Sequence, residues 1–82
     1  MRGMEAAVFD RITVEPGKMG GQPCIRGLRF TVGHLVRMVA AGRTLDDIRD
    51  DFPFIEPEDV QQALLYAAQA TESEGLSLRE PA

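Results

Sequence analysis

The chain has 82 residues, of which 44% are hydrophobic, so it can form one small core but neither two domains nor a large enclosed active-site cleft. Its single cysteine, Cys24, excludes an internal disulfide bond. The net charge of −4 is uneven: residues 1–43 carry seven basic and three acidic groups, and residues 44–82 carry two basic and ten acidic groups. This asymmetry indicates separate surfaces for a polyanion and a basic partner, charge neutralisation within a dimer, or a solvated pattern without a function.

The first part of the chain predicts a short β segment. Residues 1–10 lack turn signals and periodicity and are predicted to form a flexible arm. Residues 11–14 alternate polar and apolar side chains, which is typical of a strand, and Pro16 with Gly17 ends it. Residues 18–27 contain three glycines and a proline and predict a shaped loop, and residues 28–30 predict a second strand.

Three helices are predicted in the remainder. Apolar residues at helical spacing, with Gly42 after them, predict helix one over residues 32–41. Thr44 and Asp47 match a capping box before a second helix over residues 45–52. Pro57 is typical of the first position of a helix and predicts helix three over residues 57–70. Helix three is predicted to bury one stripe of side chains: Val60, Ala63, Leu64, Ala67 and Ala68.

The fold class that follows is mainly α with a short N-terminal β segment and a three-helix, helix-turn-helix core. Because only residues 53–56 join helices two and three, these helices are expected to pack at a steep angle. Residues 11–70 form the predicted domain, and residues 71–82 are a predicted flexible acidic tail. The residues predicted to be mostly buried are Ile12, Val14, Ile25, Val32, Leu35, Val36, Val39, Leu45, Ile48, Phe52, Val60, Leu64 and Ala67.

Three segments of the chain are recognisable together: MGGQPCIRGLRFTV, AAGRTLDDI and DFPFIEPEDVQQALLYAA. They resemble the domain-of-unknown-function family 433, the VapB-type antitoxin-like proteins, over Ile12 to about Ala68. The most specific part is a G-x-P-x-I-R-G-x-R-x-x-V run, which this chain matches at Gly21, Pro23, Ile25, Arg26, Gly27, Arg29 and Val32. The resemblance implies a homeodomain-like helix-turn-helix domain, usually dimeric, that neutralises a PIN-like ribonuclease toxin and represses their shared promoter.

Two positions depart from the family pattern. Leu28 stands where the family usually has Thr, and Glu56 stands where an N-capping Ser, Thr or Asp is common. Because Glu is a poorer cap, we expect the start of helix three to be less rigid than in relatives.

The basic residues before position 44 are the candidate DNA-binding residues. The second helix of a helix-turn-helix enters the major groove, but helix three begins with Glu56, Glu58 and Asp59, which repel phosphates. The phosphate contacts are therefore assigned to Arg11, Lys18, Arg26, Arg29, Arg37 and Arg43. Arg26 and Arg29 have a second, preferred interpretation, in which one or both of them pair with acidic residues of the same or another subunit: Asp50, Asp51 or Glu15.

The acidic C-terminal half suits a basic partner. A PIN-like nuclease binds RNA on a basic surface, so an acidic protein can occupy the RNA path. The candidate toxin-binding residues are Leu76, Leu78 and Arg79, whose alternative interpretation is a frayed terminus without a role. The polar side of helix three is predicted to face solvent or a partner through Gln61, Gln62, Leu65 and Gln69.

No catalytic, cofactor-binding or metal-binding residue is predicted, and an enzyme is not expected. His34 is the single histidine, Cys24 is interpreted as a small buried hydrophobic residue, and no Ser/His/Asp set can be assembled. The glycines of residues 18–27 are not followed by the lysine of a phosphate-binding loop. Without a visible membrane span or secretory signal, we expect a cytoplasmic protein with neither a membrane partner nor a small-molecule substrate.

The leading hypothesis is therefore a homodimeric antitoxin-like protein that neutralises a PIN-like toxin and binds its own promoter DNA. In it, the strand and the glycine-containing loop build the dimer. The alternative hypothesis is a protein-interaction or dimerisation module without a role on DNA.

Overall fold

The computed structural model describes residues 9–74 and confirms the mainly α fold class. Residues 1–8 of the predicted arm and residues 75–82 of the predicted tail lie outside the described residues. The elements are β1 (Ile12–Thr13), β2 (Cys24–Ile25), α1 (Val32–Ala40), α2 (Leu45–Asp51) and α3 (Pro57–Glu74). Helices α1 and α3 pack against each other.

The β segment is a two-stranded antiparallel sheet in which Ile12 pairs with Ile25 and Thr13 with Cys24. The second strand therefore lies inside the predicted loop, and the strand predicted over residues 28–30 was wrong. The reason is a tight turn after Ile25, where Arg26 and Gly27 both have positive φ angles of 46° and 71°. The turn brings the chain back so that the N–H of Ile25 donates to the carbonyl oxygen of Phe30 at 2.9 Å.

Helices α1 and α2 have the ends that the sequence predicts, within one residue. After α1, the N–H of Gly42 donates to Val39 and the N–H of Arg43 donates to Met38, at 2.9 and 3.1 Å. With Gly42 at a φ of 88°, this is a Schellman motif. At the start of α2, Thr44 and Asp47 form the predicted capping box with reciprocal bonds of 3.1 Å.

Helix α3 begins at Pro57 as predicted, but its predicted end at residue 70 was wrong, because the helix continues to Glu74. No glycine or proline lies within residues 58–74, so neither residue type stops the helix at position 70. The hydroxyl of Thr71 donates to the carbonyl oxygen of Ala67 at 2.9 Å, which uses its polar group within the helix. The first four residues of the predicted tail thus belong to α3.

The core combines β2, the helices and the segments that join them. Most residues predicted to be buried are buried or half-buried, but Val14 and Leu64 are 58% and 40% exposed, and Ala68 of the predicted stripe is also exposed. Val14 is exposed because it follows Thr13, the last paired residue of β1. Leu64 is exposed because the buried side of α3 is the one that carries Asp59 and Ala63. The buried apolar residues are Cys24, Ile25, Phe30, Val32, Leu35, Met38, Ile48, Ile55 and Ala63.

Candidate functional site

A buried carboxylate lies at the start of α3. Asp59 has no exposed surface, and each of its oxygens accepts two hydrogen bonds. Oδ1 accepts from Nη1 of Arg11 and Nε of Arg26, both at 3.0 Å. Oδ2 accepts from Nη2 of Arg26 and the backbone N–H of Glu56, both at 2.9 Å. The bidentate contact with Arg26 fixes the orientation of the guanidinium as well as its distance.

The hydrogen bonds keep this buried carboxyl ionised. Burial alone raises the pKa of Asp59, but the hydrogen bonds from Arg26, Glu56 and Arg11 outweigh burial, and the pKa is lowered below its usual value. The same contacts act on the cations. Hydrogen bonds to Glu56 and Asp59 raise the pKa of Arg11, and the bond to Asp59 raises the pKa of Arg26. The site is therefore a charged network, and none of these three groups titrates near neutral pH.

Further contacts of Arg11 attach the N-terminal segment to α3. Its Nη1 lies 2.6 Å from Oε1 of Glu56, and its Nη2 lies 3.3 Å from Oε1 of Glu58. The backbone N–H of Arg11 donates to Oε1 of Gln62 at 3.0 Å, and Nε2 of Gln62 donates to Asp10 at 2.7 Å. The side chain of Glu56, a residue type that is a poor N-cap, accepts a hydrogen bond from Arg11. The carboxylate of Asp59, three residues later, accepts from the backbone N–H of Glu56, as the N3 side chain does in a capping box.

Arg26 attaches the turn before α3 to the same network. Its Nη2 donates to the carbonyl oxygen of Phe54 at 2.6 Å, in addition to its contact with Asp59. The turn at Arg26 and Gly27 that places this side chain is held by a 2.9 Å bond from the N–H of Gly27 to the hydroxyl of Thr13. Arg26 therefore pairs within the chain, as preferred, but with Asp59 and not with Asp50, Asp51 or Glu15.

Two more of the six candidate DNA-binding cations are in ion pairs. Nζ of Lys18 lies 3.3 Å from Glu15 and donates to the carbonyl oxygen of Gly27. Nη2 of Arg43 lies 2.8 Å from Asp51 and donates to the carbonyl oxygen of Asp47. Together with Arg11 and Arg26, four of the six candidate cations therefore form ion pairs within the chain.

The other two candidates, Arg29 and Arg37, are exposed and make no ion pair with any residue in 9–74. Arg29 lies between β2 and α1, and Arg37 lies in the last turn of α1. The structure brings Arg11 and Arg26 together at Asp59, and Lys18 contacts Gly27, the residue next to Arg26.

An aromatic cluster includes Phe54, whose carbonyl oxygen accepts the hydrogen bond from Arg26 in the turn before α3. The ring of His34 stacks on buried Phe30 with centroids 4.7 Å apart, and Phe52 meets Phe30 edge to face at 4.8 Å. Phe54 also packs edge to face on Phe30, at 5.6 Å, and is 43% exposed. His34 thus has a packing role at the surface, where the sequence had not predicted an aromatic cluster.

The outer side of α3 forms an open groove of about 570 Å³ with Phe9. Phe9 packs edge to face on Tyr66 with ring centroids 5.3 Å apart, and it forms one wall. Leu65, which is 56% exposed, and Ala68 form the apolar middle of the groove, and Glu58 and Glu72 lie at its two ends. Gln61 and Gln69 also line it, so the side of α3 predicted to face solvent or a partner is an exposed groove.

Comparison with known proteins identifies the family of this fold. Residues 12–67 match the model of the family described as "Protein of unknown function (DUF433)". The chain belongs to the DUF433 family. It is 32% identical over 62 residues to the uncharacterized protein y4eO of Sinorhizobium fredii (strain NBRC 101917 / NGR234). That match covers 76% of this DUF433 chain and 28% of y4eO.

A solved structure of the same family has a similar fold. The crystal structure of a DUF433 member protein from Anabaena variabilis ATCC 29413 matches with a TM-score of 0.69 and 32% identity. The match covers 77% of this chain and 62% of the Anabaena chain. This DUF433 protein therefore spans less than two thirds of both relatives, and most of y4eO lies outside the shared region.

The remaining residues singled out in the sequence divide between the core and the undescribed ends. Cys24 is buried as predicted, and its thiol donates to the carbonyl oxygen of Gln22 at 3.3 Å.

Within residues 9–74 no three His, Cys, Asp or Glu side chains are grouped to hold a metal ion. In that same range, no helix has both the length and the apolarity that spanning a bilayer requires. The candidate toxin-binding residues Leu76, Leu78 and Arg79 lie outside the described residues.

The lowered pKa of Asp59 predicts a loss of stability in acid. Because the folded-state pKa lies below the ordinary value of 3.8, the carboxylate contributes its full stabilisation above pH 3.8, and this is lost as the pH falls through the folded-state pKa. We expect the urea midpoint of unfolding to fall as the pH decreases below about 4. Asp47, whose pKa is lowered by its hydrogen bonds with Thr44, changes stability in the same direction. The Asp59→Asn variant has no carboxyl group at this position, so we expect its urea midpoint to fall less in acid. An equal fall in that variant would contradict the assignment of the acid sensitivity to Asp59.

Proposed function

We propose that this DUF433 protein is a protein-binding regulator of the antitoxin type, which neutralises a basic, PIN-like ribonuclease by direct contact. The observation that carries the proposal is the surface of α3. Within residues 57–72 this helix exposes Leu64 and Leu65, and the charged side chains that it exposes there, Glu58 and Glu72, are both acidic. An apolar surface with a single sign of charge suits a protein partner of opposite charge and repels nucleic acid.

The start of α3 also supports protein binding over DNA readout. A recognition helix contacts base edges with its first residues, but here the first turn carries Glu58 and Asp59, with Glu56 directly before it. Arg11 and Arg26, the two cations nearest to this turn, are engaged with these carboxylates. Presenting Arg11 or Arg26 to a phosphate would leave Asp59 buried with fewer partners, which is costly.

Co-expression with the product of the neighbouring open reading frame tests the proposal. We expect the two proteins to co-elute in size-exclusion chromatography, and we expect stoichiometric addition of the DUF433 protein to abolish cleavage of single-stranded RNA by the partner. The acid-rich surface predicts that the complex weakens as salt increases, because opposite charges are screened. A neighbouring product that neither co-elutes nor loses ribonuclease activity would overturn the proposal.

Promoter binding is the second candidate function, and the exposed side chains of Arg29 and Arg37 favour it. If these two cations alone contact phosphates, the logarithm of promoter affinity should fall with the logarithm of salt concentration with a slope of about −2 per subunit. A slope near −5 per subunit would instead require all six candidate cations to contact phosphates, so that Arg11, Lys18, Arg26 and Arg43 leave their present partners. Mobility shifts at several salt concentrations, with and without the partner, measure this slope.

The proposal includes a homodimer and a cytoplasmic location. The β segment and the loop that follows it are the part of the fold to which we assign the dimer contact, because Val14 and Met19 there are 58% and 40% exposed. Sedimentation of wild-type protein across a range of concentrations measures the oligomeric state.

A further inference from the structure

We infer that the groove between Phe9 and α3 binds an amphipathic helix of the partner protein, with an apolar centre and basic residues at both ends. The inference rests on the proposed function and names the site through which it acts. The groove lies on the opposite side of α3 from the buried line of Asp59 and Ala63.

The spacing of the residues along the groove indicates that its occupant is a helix. Glu58, Leu65 and Glu72 are seven residues apart, and Gln61 and Ala68 lie three positions after Glu58 and Leu65. This repeat of three and four residues keeps one side of a helix in contact with a second helix along its length. The wall formed by Phe9, which Tyr66 supports, restricts the partner to one side of the groove.

The charges at the ends of the groove indicate a basic partner. Glu58 and Glu72 are separated by 14 residues, which corresponds to about 21 Å of helix. Glu58 lies 3.3 Å from Arg11, whereas Glu72 makes no ion pair with the residues of 9–74. A partner helix with lysine or arginine at both ends and leucine or alanine between them complements this pattern.

The same charges disfavour a second copy of this chain as the occupant. If two α3 helices paired antiparallel through the groove, Glu58 of one would meet Glu72 of the other. If they paired parallel, each glutamate would meet its own copy. Both arrangements bring carboxylates together, and like charges across an interface oppose association.

Two synthetic helical peptides provide the probes for this site. They share one leucine and alanine stripe and differ only at two positions fourteen residues apart, which are lysines in one peptide and glutamates in the other. We expect the lysine peptide to bind the intact DUF433 protein at least about tenfold more tightly than the glutamate peptide, measured by fluorescence anisotropy. Equal binding of the two peptides would overturn the charge assignment.

A pair of substitutions on α3 provides the matched test of position. Leu65→Lys places a cation in the apolar middle of the groove, whereas Leu64→Lys places the same cation on the neighbouring residue, outside the groove. We expect Leu65→Lys to weaken binding of the lysine peptide at least about tenfold and Leu64→Lys to leave it within about twofold. Thermal unfolding of both variants checks that each is folded.

A charge swap gives a second, independent readout. We expect Glu72→Lys to weaken the lysine peptide and strengthen the glutamate peptide, because it reverses the charge at one end of the groove. An unchanged ratio of the two affinities would overturn the inference. A wild-type dimer that Leu65→Lys dissociates without any peptide would also overturn it, because the groove would then bind a second copy.

The partner complex separates failure of this inference from failure of the proposed function. If the neighbouring gene product binds wild type and Leu65→Lys equally, the inference is wrong and the proposed function stands. If that product does not bind wild type, the proposed function is wrong, and the peptide measurements still decide whether the groove accepts a basic helix.

Discussion

Replacement of Asp59 by alanine is expected to destabilise the domain by about 3–5 kcal/mol, the range found when one partner of a buried ion pair is removed. Asp59 has no exposed surface and accepts from Arg11, Arg26 and the N–H of Glu56. Its removal leaves the guanidinium of Arg26 beside a cavity without its bidentate partner. Native domains have total stabilities of about 5–15 kcal/mol, and small ones lie near the lower end, so Asp59→Ala should be largely unfolded at moderate temperature.

Urea unfolding at neutral pH, followed by far-UV circular dichroism, measures this effect. Asp59→Asn keeps the shape of the side chain and removes its charge, so we expect an intermediate loss of stability. Glu58→Ala is the matched control, because Glu58 is an exposed carboxylate on the same turn that also contacts Arg11, at 3.3 Å. We expect that variant to lose far less. Equal losses in Asp59→Ala and Glu58→Ala would contradict the structural role of the buried network.

Three helix boundaries, the end of α1 and the starts of α2 and α3, could be predicted because their signals are local. The capping box of Thr44 and Asp47, the glycine at position 42 and the proline at position 57 each act within five residues along the chain. The hydrogen bonds at Gly42 and at Thr44 and the fixed φ of Pro57 depend on nearby residues, and the structure confirms all three boundaries. The strand over residues 28–30 was wrong because two consecutive residues at positive φ, one of them Arg26, turn the chain earlier than composition indicates.

The charged network could not be predicted because its partners are distant in the sequence. Asp59 is 33 residues from Arg26 and 48 from Arg11, and hydrophobic periodicity counts a carboxylate as a surface residue. Because periodicity treats Asp59 as a surface residue, it also wrongly predicts that Leu64 is in the core. With Asp59 on the buried side, Ala63 follows four positions later on the same side, and Leu64 is rotated outward. One local signal does indicate the buried side of α3: Asp59 lies in the first turn, and the small apolar residue Ala63 follows four positions later.

The network also changes the meaning of the basic N-terminal half. A count of charges assigns the cations of residues 1–43 to DNA, but Arg11 and Arg26 hold β1 and the turn after β2 against the start of α3. Their contribution is to the position of α3, whose outer side carries the candidate protein-binding groove. The position of that groove relative to Phe9 and the turn at Phe54 therefore depends on residues that sequence analysis had assigned to phosphate binding.

Leu35→Ala is expected to cost about 3 kcal/mol, the lower part of the range for removing a buried leucine side chain. Leu35 has no exposed surface and lies in α1, the helix that packs on α3. Truncation removes apolar contacts and leaves a cavity, because the surrounding helices can close it only in part. Leu65→Ala is the matched control, since the same substitution is made on a helix at a position that is 56% exposed, and we expect a change within about 0.5 kcal/mol. Urea midpoints followed by circular dichroism measure both variants, and a loss in Leu65→Ala as large as that in Leu35→Ala would place the outer side of α3 in the core and remove the groove.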